Sequence, residues 1–165
     1  MGTRERRSRS NERDLLISEL FIASGADSEK VAIAAVGSFG RGELAPGSDL
    51  DIVIIHTGAL PEKELSELVN KILYPLWDKN VKIDHSVRTR SEIRDIADSD
   101  LKVAMGLLDI RLVCGSADLV AAVRAGADGY LLKDMEPEEI VARLAEALDG
   151  QMAIPERLGR ALALA

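Results

Sequence analysis

Aromatic residues, cysteines and long apolar runs are scarce in this sequence. Aromatic residues make up 3% of the 165 residues, so the core has to be built from Ala, Val, Leu and Ile. The single cysteine, Cys114, excludes an internal disulfide and fits a reducing compartment. No apolar run approaches the roughly 20 residues of a membrane span, and no apolar signal-peptide core follows the Arg-rich start. We therefore expect a cytoplasmic protein without a membrane partner.

The sequence also lacks an excess of basic residues. Its formal net charge is −7, and a sequence-wide basic footprint for nucleic acid is therefore absent. An acidic enzyme can still bind nucleotides if a cation and a few local arginines screen the phosphates. The length suits one domain, or one domain with an appendage.

Apolar runs that read as strands alternate with segments that read as helices. The polar residues 1–10 are expected to be flexible, and Asn11 is a candidate helix cap. Helices are predicted over 11–24, 61–80, 98–108, 118–125 and 137–148, and residues 91–92 are also read as helical. Strands are predicted over 31–36, 50–56, 81–87 and 129–132, with 110–114 a short strand or helix end. This order predicts an α/β or α+β fold in which helices flank a sheet.

Two acids lie one residue apart at the start of the second predicted strand. Residues i and i+2 of a strand point to the same face, so Asp49 and Asp51 project together while Leu50 and Ile52 face the core. Two carboxylates at that spacing can share one or two hard cations, for which Mg²⁺ is the natural choice. Asp84, on the polar face of the third predicted strand, would add a third carboxylate if the two strands are neighbours.

The turn after the first predicted strand supplies groups suited to an anion. Gly37 allows backbone N–H groups to approach a phosphate closely, and the Ser38 hydroxyl adds a donor. Arg41 is near enough in sequence to counter phosphate charge. Together with the acids, this turn favours transfer of a nucleotidyl group from a nucleoside triphosphate.

Simpler interpretations of the same residues stay open. An Asp-x-Asp pair is often a solvated surface feature, and Arg41 alone could be an ordinary surface residue. We expect His85 to be an ordinary polar strand residue and Trp77 to anchor its helix in the core.

The strings AVGSFGRGELAPGSDLDIVII, VKIDHSVRT and SDLKVAMGLLDIRLVCG resemble the nucleotidyltransferase superfamily that includes DNA polymerase beta. They are most similar to the N-terminal catalytic domain of the bacterial PII uridylyltransferase family, over residues of about 10–118. The resemblance implies a nucleotidyltransferase-type mixed sheet flanked by helices. It also implies Mg²⁺ ligands at Asp49, Asp51 and Asp84, and nucleotide phosphates at Gly37 and Ser38.

The same resemblance implies a substrate and an acceptor. That family transfers UMP from UTP, or AMP from ATP in some relatives, to a tyrosine hydroxyl of the PII nitrogen-signalling protein. The family's complete enzymes continue into further helical, phosphohydrolase and regulatory modules, for which this chain has no room. Nucleotide removal and glutamine sensing are therefore expected to be absent.

The last part of the chain, residues 119–158, resembles a different family. Its string GADGYLLKD looks like the end of a response-regulator receiver domain of the nitrate-response type, with Lys133 in the place of the receiver lysine. This predicts a chimera with domains 11–118 and 119–165, in which a receiver-like helix-strand-helix unit extends the first sheet. Two alternatives to the enzyme remain: an inactive chimeric fold, and a signalling module that forms homodimers through the receiver-like segment.

Overall fold

The computed structural model describes residues 2–134 and position 138. Helices and strands follow one another from the first turn of the chain. In chain order they are α1 (Thr3–Ser24), β1 (Val31–Ala35), α2 (Gly37–Gly40), β2 (Leu50–His56), α3 (Glu62–Asp78), β3 (Ile83–Thr89), α4 (Arg90–Ser99), α5 (Leu101–Gly106), the 3-10 helix Leu107–Asp109, β4 (Arg111–Gly115) and α6 (Ala117–Asp134).

The four strands form one mixed sheet in the order β3-β2-β1-β4. β1 pairs antiparallel with both β2 and β4, whereas β2 and β3 are parallel. The mixed α/β fold with helices around a sheet, predicted from the alternating pattern, is confirmed. In the described part of the chain, no helix combines the length and apolarity needed to cross a membrane.

Helices cover both faces of this sheet, which explains why β1, one of its two inner strands, is entirely apolar. All five residues of β1 are buried, because alternate residues enter two different cores. Val31, Ile33 and Ala35 pack with α1 and α3 on one face, and Ala32 and Ala34 pack with α4, α6 and the 3-10 helix on the other. A strand buried on both faces is expected to be a continuous apolar run.

The first helix begins earlier than the sequence predicts. α1 starts at Thr3 instead of Asn11, so the expected flexible stretch 1–10 is mostly helical. The end of this stretch is fixed by the loop before β2, because Arg9 Nη1 donates to the Leu44 carbonyl at 2.8 Å and the Leu44 N–H donates to the buried Ser10 hydroxyl at 3.3 Å. The partners in these two hydrogen bonds are separated by 35 and 34 positions in the sequence. Local sequence patterns do not encode such contacts.

The last described helix corrects the predicted receiver-like segment. The strand predicted over 129–132 is wrong, because α6 continues as a helix through Asp134. A four-residue apolar run does not distinguish a strand from a buried helical segment. α6 also crosses the proposed domain boundary at residue 118 without a break and buries Val120, Val123 and Ala127 against the sheet. The helix predicted over 137–148 lies outside the described residues, apart from position 138.

Trp77 does not anchor α3 in the core. Its side chain is 41% exposed, and its ring lies against Tyr74 and His85 with centroid distances of 5.7 and 6.0 Å. α3 instead packs on the sheet through Leu68, Val69, Ile72, Leu73 and Leu76.

Candidate functional site

The sheet topology brings the predicted turn and the predicted acids together. Since β1 and β2 are antiparallel, the end of β1 lies beside the start of β2, and the Val36 N–H donates to the Asp51 carbonyl at 3.0 Å. Since β2 and β3 are parallel, β3 starts at the same end, and Asp51 and Asp84 are direct neighbours in the register. β3 is therefore the neighbouring strand that the sequence argument required.

The backbone of Gly37 lies close to one of the acids. Its φ is +61°, a conformation that side chains disfavour. A Cβ atom at this position would lie 2.9 Å from Asp51 Oδ2. A side chain at this position would have to displace the Asp51 carboxylate. The residues Gly37–Gly40 form a single helical turn, α2, with Ser38 half-buried within it. The sequence argument predicted a turn here but not a helix.

The three carboxylates affect one another electrostatically. Burial raises the pKa of Asp51, and the negative charges of Asp84 and Asp49 raise that pKa further. Asp49 lies just before β2 and, like Asp84, is exposed, whereas Asp51 is half-buried. The arrangement concentrates negative charge beside Gly37, and a cation would relieve it.

These acids could hold a divalent cation, although they do not form a ready-made cage. Within the described ranges, no group of three or more His, Cys, Asp or Glu side chains is arranged to hold a metal ion. The chemistry of the donors nevertheless fits Mg²⁺, because all of them are carboxylate oxygens and two come from exposed residues that can adjust. Asp49, Asp51 and Asp84 are therefore the residues that could bind such an ion.

Arg41 directly follows α2 and is held in ion pairs. Its Nη1 contacts Asp109 Oδ2 at 3.1 Å and its Nε contacts Glu43 Oε2 at 3.3 Å. Burial raises the pKa of Asp109, and the hydrogen bond and charge of Arg41 partly oppose this increase. The predicted contact between Arg41 and phosphate stays a prediction, whereas its pairing with Asp109 is a feature that the sequence argument missed.

Arg111 and Asp14 were also not predicted from the sequence. Arg111 Nη2 donates to the Phe39 carbonyl at 2.8 Å, and its Nε donates to the Gly40 carbonyl at 3.2 Å. The same guanidinium forms two hydrogen bonds with the Asp14 carboxylate, at 2.6 and 3.1 Å. Asp14 and Arg111 are 97 residues apart, so a single sequence carries no local signal for the pair.

Comparison of the sequence with known families identifies the class of this protein. The model of the nucleotidyltransferase domain family matches residues 22–107, which is more than half of the chain and includes Gly37, Asp49, Asp51 and Asp84. The chain belongs to the nucleotidyltransferase domain family, and the predicted enzyme class is thereby confirmed.

Among individual proteins, the chain is similar to bacterial enzymes named bifunctional uridylyltransferase/uridylyl-removing enzyme. It is 40% identical over 123 residues to that of Streptomyces coelicolor, covering 74% of this chain and 15% of the relative. It is 46% identical over 101 residues to that of Mycobacterium tuberculosis, covering 61% of this chain and 12% of the relative. The chain thus spans about one seventh of the length of these relatives.

A third relative bears on the proposed chimera. The enzyme of the same name from Novosphingobium aromaticivorans is 36% identical over 134 residues, covering 81% of this chain and 15% of the relative. An aligned region of 134 residues is too long to end at residue 118, so the similarity continues past the proposed boundary. The comparisons support the uridylyltransferase resemblance and do not support fusion to a receiver domain.

One solved structure, titled a toxin-antitoxin with AMP-PNP, was also found to be similar. It covers 87% of this chain and 99% of its own, with a TM-score of 0.44 and 14% sequence identity. At this degree of likeness, neither its ligand nor its assembly is carried over to this protein.

Proposed function

We propose that this domain transfers a nucleotidyl group from a Mg²⁺-bound nucleoside triphosphate to a hydroxyl group of an acceptor protein. The observation that carries the proposal is the close approach of the Gly37 backbone to the Asp51 carboxylate, with Asp84 as the strand neighbour of Asp51. A phosphate-binding type of turn beside hard cation ligands is the combination that nucleotidyl transfer requires. The name of the relatives favours UTP as the donor, with ATP as the alternative, and a PII-type signalling protein is the acceptor that the sequence resemblance implies.

In this proposal, the residues divide into two groups. Asp49, Asp51 and Asp84 hold Mg²⁺, which when bound would neutralise phosphate charge and make the α-phosphorus more susceptible to attack. The backbone at Gly37 and the Ser38 hydroxyl hold the triphosphate. The Nε and Nη1 atoms of Arg41 donate hydrogen bonds to Glu43 and Asp109. Its Nη2 atom is the donor that would bind a phosphate oxygen.

The reaction forms a bond between the acceptor oxygen and the α-phosphorus and breaks the bond to pyrophosphate. The hydroxyl proton passes to one of the three carboxylates. Within the described residues, the catalytic unit is the predicted 11–118 domain together with α6, which completes its core.

Calorimetry of nucleotide binding tests the proposal. Mg²⁺·UTP and Mg²⁺·ATP are titrated into the wild-type protein and into the variant Asp49→Ala/Asp51→Ala. We expect the wild-type protein to bind at least one of them and the variant to lose most of that affinity. The control, Asp27→Ala/Asp118→Ala, removes the same charge from two exposed residues, one before β1 and one after β4, at the opposite end of the sheet, and should bind as the wild type does. Absence of wild-type binding, or equal binding by the double variant of the site, would refute the proposal.

The acceptor is tested separately by mass spectrometry. A purified PII-type protein is incubated with the domain, Mg²⁺ and UTP or ATP, and the intact mass of the acceptor is measured. Addition of a uridylyl or adenylyl group that requires Asp51 would support the assigned acceptor. Nucleotide binding without such addition would support the nucleotide site but exclude a PII-type protein as the acceptor. It would also favour the inactive fold as the description of the isolated domain.

A further inference from the structure

Arg111 connects three separate parts of the fold at the base of the candidate site. It lies in β4, where it pairs with Ala35 at the end of β1. Its guanidinium donates to the last two carbonyls of α2, those of Phe39 and Gly40, and binds Asp14 of α1 through both carboxylate oxygens. The guanidinium carbon also lies 5.2 Å from the centroid of the Phe39 ring. All five donor sites of an arginine are fixed in one plane, so this set of contacts specifies a single orientation.

α2 depends on such external contacts for its conformation. It has four residues, and a single helical turn is not stable on its own, because nucleation fixes several dihedral angles for one hydrogen bond. The carbonyls at its C-terminal end carry partial negative charge and need donors. Arg111 supplies these donors together with a positive charge, while the fully buried Phe39 ring holds the turn on the sheet.

The opposite side of α2 is also closely packed. A Cβ atom at Gly40 would lie 3.0 Å from the Ala35 carbonyl oxygen, and the Asp109 carbonyl oxygen would be closer still. The turn therefore has little room to move toward the sheet, and Arg111 holds the carbonyl end in place. The position of the carbonyl end determines where the other end, Gly37 and Ser38, lies relative to Asp51.

We propose that Arg111, oriented by Asp14, is a positioning residue that holds the α2 turn so that Gly37 and Ser38 can bind the triphosphate of the nucleotide. This inference rests on the proposed function. Arg111 acts through Phe39 and Gly40 and touches neither the acids nor the substrate. Asp14 contributes by fixing the plane of the guanidinium, a role that a bidentate carboxylate performs and a single hydrogen bond does not.

The test compares Arg111→Lys and Asp14→Asn with the wild-type protein. Lysine keeps the charge but cannot bind two carbonyls and a carboxylate in one plane. Affinity for the tighter-binding of Mg²⁺·UTP and Mg²⁺·ATP is measured by calorimetry, at a temperature at which circular dichroism shows every variant folded. Matched controls are Arg88→Lys, whose side chain is in an exposed ion pair with Glu92, and Asp27→Asn, which is also exposed.

We expect Arg111→Lys to weaken triphosphate binding by roughly tenfold, the effect of losing one charge-assisted hydrogen bond. Asp14→Asn should weaken it by less, and the two substitutions combined should weaken it by less than the product of their separate effects, since they break the same network. The backbone amide NMR signals of Gly37 and Ser38 should shift in both variants, and neither control should change affinity or these signals.

Two different failures are distinguishable. If the wild-type protein does not bind, or if Asp49→Ala/Asp51→Ala binds equally well, the proposed function itself fails. If wild-type binding depends on the acids but folded Arg111→Lys binds with wild-type affinity, Arg111 has only a structural role and this inference alone is overturned. A lower melting temperature with unchanged affinity leads to the same conclusion.

Discussion

Gly37 combines a backbone requirement with a contact in the site. Its positive φ is disfavoured for any residue with a side chain, and its missing Cβ leaves room for Asp51 Oδ2. Gly25 has a similar φ of +77°, but nothing lies within 4 Å of where its Cβ would be. Alanine substitutions at the two glycines therefore distinguish two effects. Both substitutions strain the backbone, but only the one at Gly37 displaces the Asp51 carboxylate.

Gly37→Ala should abolish nucleotide binding. It should also lower the free energy of unfolding by about 1–2 kcal/mol, because a side chain at positive φ is strained. Gly25→Ala should cause a similar loss of stability while leaving binding unchanged. Urea denaturation and calorimetry measure the two quantities. Wild-type affinity in folded Gly37→Ala would show that the contact with Asp51 is not needed by the nucleotide.

The thiol of Cys114 has low reactivity in the folded state. Burial raises the pKa of its thiol to about 12, against smaller opposing effects of hydrogen bonds with Ser18 and Ile33. The native state thus keeps this proton while the unfolded chain loses it above a pKa of about 9. The contribution of this thiol to the free energy of unfolding is therefore fully present below pH 9, and it declines as the pH rises from 9 toward 12.

Alkylation of Cys114 by iodoacetamide at pH 8 should be much slower in the native protein than in urea, because the thiolate is the reactive form. The stability of the wild-type protein should also fall more between pH 8 and pH 10.5 than that of Cys114→Ala, which lacks the titrating group. Rapid alkylation of the native protein would contradict the assigned burial.

Among the secondary-structure elements, α2 is a single turn whose C-terminal end is joined to distant parts of the chain. Arg111 joins its carbonyl end to α1 and β4, and Arg41, directly after it, joins it to the 3-10 helix through Asp109. The Arg41 and Asp109 side chains are only 16% and 10% exposed. Removal of one partner therefore leaves a poorly solvated charge behind.

Arg41→Met should lower the free energy of unfolding by roughly 2 kcal/mol at pH 7, since Asp109 loses its cation. The substitution raises the pKa of Asp109 still further, so the loss should be smaller at pH 4, where the carboxyl group of the variant binds a proton. Arg41→Met/Asp109→Asn should recover part of the loss at pH 7.

The control for this prediction is Arg88→Met, which breaks the exposed pair with Glu92 at 3.6 Å and should cost less than about 1 kcal/mol. Denaturant unfolding at both pH values supplies the comparison. An equal loss for Arg41→Met at pH 4 and pH 7 would show that the Asp109 charge is not responsible.

At the scale of the whole molecule, the sheet is stable only because helices cover both of its faces. α1 and α3 cover one face, and α4, α6 and the 3-10 helix cover the other. α6 is part of this cover, since Val120, Val123 and Ala127 are buried in the same core as Ala32 and Val53. Its described part therefore shares a core with the sheet.

Val123→Asp should lower the free energy of unfolding by about 3 kcal/mol or more, because it places an unpaired charge in that core. Ala121→Asp, two residues earlier on the exposed side of α6, adds the same charge and should have little effect. Thermal melting of the two variants measures the difference. Similar melting temperatures would mean that α6 does not cover the sheet.

The candidate site was predictable where its signals are local. The strand Leu50–His56 was predicted with its observed bounds, and Asp49, Asp51 and Asp84 could be chosen from their alternation along strands. The one-turn helix α2 was not predictable, because four residues with two glycines carry no helical period. The ion pairs of Arg41 and Arg111 were missed since their partners are far away in the chain.

The sequence by itself determined the order of the strands in the first part of the chain, the apolar character of β1 and the residue types of the site. Those properties follow from short-range periodicity and from the chemistry of individual side chains. Only the tertiary structure decided that β3 lies parallel beside β2, that α1 starts at Thr3 and that residues 129–132 continue a helix. These features depend on contacts between distant residues and on which surfaces are left to bury, and a local pattern of apolar residues is compatible with more than one such outcome.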